Sequence, residues 1–169
     1  MPSTEILTQY LPLCWFRHDP LKLTRSISFF KTNLLIYFIV EYVTQTNMTD
    51  DPFESFVEVS IQILLTLLFI SFILYLNKTL YAYIQVTSAI LICANIISIF
   101  VIPVLIWLTV DENILSYYSL SLLFVWEFTV ISYILRKSLA INSIASLALS
   151  VLYFSVTYLG AFAIGQILV

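Results

Sequence analysis

Residues 82–109 read AYIQVTSAILICANIISIFVIPVLIWLT, a stretch without one charged side chain. A helix needs about 20 mostly apolar residues to cross ~30 Å of hydrocarbon, and this run exceeds that. It cannot be the buried helix of a small soluble domain, because four similar stretches accompany it. They fall at about 27–44, 57–76, 114–135 and 139–168. The chain has 169 residues, of which 61% are hydrophobic and 10% charged. Soluble domains carry roughly 25% charged residues, and a domain of this size buries only about 70% of its surface on folding. Lipid must therefore replace water around most of the chain. The expected fold is an all-α membrane bundle of five transmembrane helices, a single domain over residues 19–169.

The basic residues orient it. Arg17, Lys22, Arg25 and Lys31 precede or begin the first span, Lys78 follows the second, and Arg136 and Lys137 follow the fourth. With five spans all seven lie on one side. The opposite loops carry Asp50, Asp51, Glu54, Glu58, Asp111 and Glu112 and no basic residue. Lys/Arg excess marks the cytoplasmic face, so the N-terminus is expected inside and the C-terminus on the opposite side. A wrong span count would scatter the charges. The net charge of −3 carries less information than this partition.

Local chemistry marks helix starts. Asp19-Pro20 offers an N-cap carboxylate and a proline at the first helical position, where its missing N–H costs nothing. Asp51-Pro52-Phe53-Glu54 repeats the pattern with an acid at the third position, a capping-box variant, so the second helix is expected to begin at Pro52. Residues 1–18 are apolar around Ile6, Leu7, Tyr10, Leu11, Leu13, Trp15 and Phe16, are broken by Pro12, and are too short to span. They are expected to lie in the headgroup zone. They show no basic leader or small-residue cleavage site.

Glu127 is the most informative side chain. It stands nine residues before Arg136, about 13 Å from the basic edge at 1.5 Å per residue. A bare carboxylate there costs roughly 2.5–3.5 kcal/mol on insertion scales. It must be neutral, paired or wet. Lys31, entering from the same side, and Asn95 in the third span are the candidate partners. A proton or ion relay is one role, and a hydrogen-bonded carboxyl fixing helix packing is the other. The sequence offers no second interior acid to continue a relay, since Glu41 is near enough the outer end to snorkel out. Pro103 removes a backbone hydrogen bond from the third span and should kink it, as a static bend more readily than as a gate. In the fifth span Asn142, Ser146, Ser150, Thr157, Ala161 and Gly165 form a small-residue stripe, the signature of close helix contact.

Catalytic and metal motifs are missing. No phosphate loop, HExxH, CxxC or Ser/His/Asp set is present, His18 is the single histidine, and Cys14 and Cys93 are too few for a disulfide framework. No enzymatic role, cofactor, metal or nucleic-acid partner is expected; seven basic residues along one membrane face suit anionic lipid. The sequons at Asn47 and Asn77 are weak signals.

The order of parts resembles the Yip family of five-span membrane proteins. The likeness lies in the Asp19-Pro20 run, the acidic loop before span two, the Pro-bearing stretch Ala94–Pro103, Leu123-Phe124-Val125-Trp126-Glu127 in span four and the small-residue fifth span. It covers about residues 19–167. The aspartate/tyrosine/glycine motif of the eukaryotic trafficking members is absent, which favours a bacterial-type member. The resemblance implies a non-enzymatic protein of membrane organisation or accessory assembly. The leading expectation is a membrane scaffold or accessory protein acting through helix–helix contacts, with a membrane-protein partner or as a homo-oligomer, in a bacterial inner membrane or alternatively an ER/Golgi membrane. The other expectation is a small transporter or channel component using Glu127. An odd span count predicts that tags on the two termini are reached from opposite sides of sealed vesicles; access to both from one side contradicts it.

Overall fold

The computed structural model describes residues 3–47, 51–111 and 113–168. Asp50 and Glu112 of the acidic loops, and Met48 and Thr49 of the first sequon, lie outside them. Five helical spans cross-pack, and each is long and apolar enough to traverse a bilayer. The chain is an integral membrane protein, and its described residues contain no strand. A short helix α1 (Ser3–Tyr10) leads into a 3₁₀ turn (Leu11–Trp15). The spans are α2 (Ile27–Thr46), α3 (Pro52–Leu76), α4 (Tyr83–Val110), α5 (Ile114–Leu139) and a fifth built of α6 (Ser143–Phe154), a π turn (Ser155–Leu159) and α7 (Gly160–Leu168).

The caps explain the boundaries. Asp51 accepts from the Phe53 N–H at 2.8 Å, so α3 starts at Pro52 as its sequence dictates. The Asp19 carboxylate accepts from the Leu21 N–H at 3.0 Å, but it opens only a 3₁₀ turn over Pro20–Lys22. The Gln85 side chain donates to the carbonyls of Leu21 and Leu23, at 3.4 and 2.8 Å. Those oxygens are then engaged outside the backbone ladder that a continuing helix would need. The first span begins at Ile27, where its sequence placed it, capped by Ser26, whose hydroxyl accepts from the Phe29 N–H at 3.3 Å. The fourth span runs to Leu139, four residues past its expected end, with Arg136 and Lys137 in its last turn. Cations there suit the helix dipole. Ala140 then turns left-handed, at φ 53°. Asn142 is the N-cap of α6, accepting from the Ala145 N–H at 2.7 Å, so it serves a cap and not the packing stripe.

The spans form a ring. α2 lies between α3 and α4, α4 against α5, α5 against α6, and α7 returns to α3. All seven basic residues fall at one end of this ring, where α2, α4 and α6 begin and α3 and α5 finish. Toward that end the core is apolar, with Ile70, Leu74, Val86, Ile90, Ile131, Ile134 and Leu135 fully or nearly fully enclosed.

The N-terminal segment belongs to this core. Tyr10, Leu13 and Cys14 have no exposed surface, so this stretch is packed into the bundle where a headgroup position was expected. Cys14 meets Cys93 with Sγ–Sγ 3.1 Å, about 15 Å of helix rise from the start of α4. Polar side chains of the spans serve its irregular backbone. The Trp126 indole donates to the Cys14 carbonyl at 3.1 Å, and the Tyr133 hydroxyl to that of His18 at 3.1 Å. Burial pushes the Tyr10 phenol up to about 12, which keeps it a neutral donor to the Thr24 carbonyl at 3.1 Å. A buried acceptor left unmade costs about 1–3 kcal/mol. Trp126→Phe is therefore expected to speed maleimide labelling of Cys14 by roughly tenfold, the equivalent of about 1.4 kcal/mol, read by peptide mass spectrometry. An unchanged rate would show that the indole does not hold the segment.

Candidate functional site

The half of the bundle away from the basic end has a polar interior, and α3 supplies its spine. Glu54, Glu58, Gln62 and Thr66 recur every four residues, which on a helix places them along one face. Glu58, Gln62 and Thr66 are buried. Each of the first three is met by a side chain from a neighbouring span. Gln166 of α7 donates to the Glu54 carboxylate. Gln45 of α2 donates to Glu58 Oε2 at 2.6 Å. Gln62 Nε2 lies 3.1 Å from the Tyr37 hydroxyl and 3.5 Å from Glu41 Oε2, both on α2. Deeper still, the buried Thr66 hydroxyl meets Tyr153 of the fifth span.

Glu41 thus turns into the bundle. Its position near the helix end permitted snorkelling outward, but the Tyr37–Glu41 face of α2 is the one that packs on α3, and Gln62 waits there as a donor. The inward turn gives Glu127 the acidic neighbour that the sequence did not reveal. The two carboxylates lie within electrostatic range of one another and of the Tyr37, Tyr153 and Tyr158 hydroxyls. Two carboxylates in a water-poor site are costly when both are bare, and protonation or a nearby cation relieves that cost. Tyr153 and Tyr158 come from the fifth span at its π turn, an irregularity that often accompanies functional positions.

The other residues singled out from sequence fall elsewhere. Lys31 is exposed, away from the buried Asn33 and Tyr37 of α2. Asn95 donates to the Asn33 carbonyl at 3.3 Å, tying α4 to α2, and its own side-chain oxygen is buried without a partner among the described residues. Pro103 is exposed and α4 continues through it from Tyr83 to Val110. Ser146, Ser150, Thr157, Ala161 and Gly165 are all buried inside the chain's own bundle. The Ser146 hydroxyl is 3.2 Å from that of Ser132 on α5. No group of three or more His, Cys, Asp or Glu side chains among the described residues could hold a metal ion.

The fold and this site define a polytopic helical membrane protein with an acidic interior half. No protein-family model, characterised protein or solved structure matches the chain.

Gly165 has a specific reason to be glycine. A Cβ there would come within 2.7 Å of Glu58 Cγ, whereas one at Gly160 would stand 3.2 Å from the flexible end of Leu65. Gly165→Ala is expected to destabilise the detergent-solubilised protein by about 1–3 kcal/mol, while Gly160→Ala leaves its melting nearly unchanged. Equal melting of the two variants would contradict the close approach of α7 and α3.

Proposed function

We propose that this protein is a small transporter or channel component in which Glu127 and Glu41 form an intramembrane proton or cation site. The observation that carries the reading is the inward turn of Glu41 into the same polar layer as Glu127. A carboxylate inside a membrane marks an ion or proton path by default, and a lone one was the main argument against it.

Three further features support it. Glu54 and Glu58 make the outer approach acidic, which concentrates cations at the mouth. Gln62 and Tyr37 line the polar interior beside Glu41, with Gln62 donating to the Tyr37 hydroxyl and to the Glu41 carboxylate. The opposite half is closed by apolar side chains and by Leu13 and Cys14 of the N-terminal segment. A polar half towards the acidic face and an apolar half towards the basic face give the bundle the asymmetry that alternating access uses. Release to the basic side would then need movement of the N-terminal segment or of the inner half of α4. In this reading the protein is non-enzymatic and acts without a bound cofactor. A bacterial inner membrane fits the resemblance noted above, with an ER or Golgi membrane as the alternative.

The second reading is a scaffold or accessory subunit. Its support is the surface of α2 and α5, which turn most of their residues outward, where lipid or the helices of a partner would cover them. It must rely on those faces, because the small-residue stripe of the fifth span is consumed by internal packing.

Reconstituted liposomes separate the two. Glu127→Gln and Glu41→Gln should each reduce cation or proton flux driven by a pH gradient by about tenfold or more, with little change in melting temperature, since Gln keeps size and hydrogen bonding. Wild-type flux no greater than that of empty vesicles, or full flux in the doubly substituted protein, would sink the transport reading. A stoichiometric partner retained in mild detergent would then support the accessory role.

A further inference from the structure

At the basic end, a cleft of about 620 Å³ opens between the returning N-terminal segment and the last turns of α5. Arg17 and Lys22 line one side and Lys137 the other, with His18, Asp19 and Tyr133 between them. Three fixed cations thus face one carboxylate. That carboxylate is already committed, since Asp19 caps the Leu21 N–H at 3.0 Å. The Tyr133 hydroxyl is likewise engaged by the His18 carbonyl and its ring lies 5.8 Å from the Lys137 ammonium, which leaves the cationic side chains as the groups to meet an anionic occupant. Gln9, whose side-chain oxygen accepts from Thr24 at 2.7 Å, adds its amide donors at the rim.

The cations come from segments more than a hundred residues apart in sequence, and their gathering is a product of the fold. Like charges brought together repel unless an anion joins them. The Arg17 guanidinium presents the planar fork that matches phosphate oxygens, and the two lysines add point charges. Basic pockets at the cytoplasmic ends of helices suit the headgroups of anionic lipids. Beside the cleft Trp15 and Phe16 are 50% and 44% exposed, and Phe16 packs edge-on against Tyr133 at 5.4 Å. An apolar flank next to a cationic cleft matches an acyl chain next to its phosphate.

We propose that this cleft is a binding site for a phosphate-bearing anion, namely the headgroup of an anionic phospholipid, held by Arg17, Lys22 and Lys137. The occupant bridges the N-terminal segment to α5 and so fastens the segment that fills the inner half of the bundle. The proposal needs only the membrane fold and is independent of transport at Glu127.

The test is native mass spectrometry of the full chain in neutral detergent, titrated with phosphatidic acid. The Lys22→Gln/Lys137→Gln pair is expected to weaken binding by about tenfold or more. Arg25→Gln/Lys78→Gln removes two cations from the same end but outside the cleft, and should change binding by less than about twofold. Asp19→Asn keeps the cap and removes the opposing charge, so it should tighten binding about threefold or more. Glycerol 3-phosphate distinguishes the source of the phosphate. Displacement of the lipid by it shows that the phosphate alone is recognised, whereas failure to displace assigns the site to the anchored lipid. Equal losses from the two double variants would mean diffuse surface charge and overturn the site, as would the absence of saturable binding by the unaltered chain. Should Lys22→Gln/Lys137→Gln not fold, an Asp19→Asn variant with unchanged affinity overturns it on its own.

Discussion

Every polar group inside a bilayer must find its partner within the protein, because hydrocarbon offers none. In this chain that constraint fixes the rotation of α3. Its face of Glu54, Glu58, Gln62 and Thr66 cannot turn to lipid, and turning it inward decides what may stand opposite. α2 answers with Gln45, Glu41 and Tyr37, and α7 with Gln166. Glycine at 165 follows from the same requirement, since the Glu58 side chain lies where any larger residue would begin. The outer half of the bundle is thus built around α3, and the ring order of the spans is its consequence.

The inner half obeys the same rule by a different route. From Val86 to Ala94 every residue of α4 is buried. The neighbouring spans α2, α3 and α5 do not enclose the helix on all sides here, and the N-terminal segment fills the remaining side. Non-helical backbone is tolerated at such depth only where protein groups satisfy it. Trp126, Tyr133 and Gln85 do so, each donating to a carbonyl of the segment or of its return. Trp126 and Glu127 are adjacent in sequence but serve opposite ends of the molecule's chemistry. The indole anchors the plug on the basic side, and the carboxylate faces the polar layer. α5 therefore connects the seal to the candidate ion site through two consecutive residues.

Much of this was legible in the sequence, and the missing parts share a cause. Five spans could be read because lipid imposes length and apolarity, both local properties. The start of α3 could be read because Asp51-Pro52 acts over two residues. Glu41 could not be placed, because its direction depends on Gln62, which is on another helix. The N-terminal segment was assigned to the surface for the same reason. Pro12 and its short length rule out a span, but the donors that admit it to the core lie 62 to 115 residues away. Cys14 and Cys93 carry no cue of their meeting. The gathering of Arg17, Lys22 and Lys137 was equally hidden, although their shared side of the membrane was plain.

The fifth span shows how far a spacing argument reaches. Ser146, Ser150, Thr157, Ala161 and Gly165 were grouped as one stripe by their near-fourfold spacing. On a helix of 3.6 residues per turn such a row cannot stay straight. The nineteen residues from Ser146 to Gly165 leave it displaced by about 100°, the rotation of one residue. A continuous α-helix would then hold Ser146 against α5 while swinging Gly165 out of the bundle. The π turn at Ser155–Leu159 lies between them, and a π turn accommodates one extra residue without advancing the face. The drift is absorbed, both ends of the row remain buried, and Tyr153 and Tyr158 are brought to the level of the acid pair. The irregularity in the helix is thus the feature that lets a regular spacing work, and it stands beside the carboxylates to which the proposed chemistry belongs.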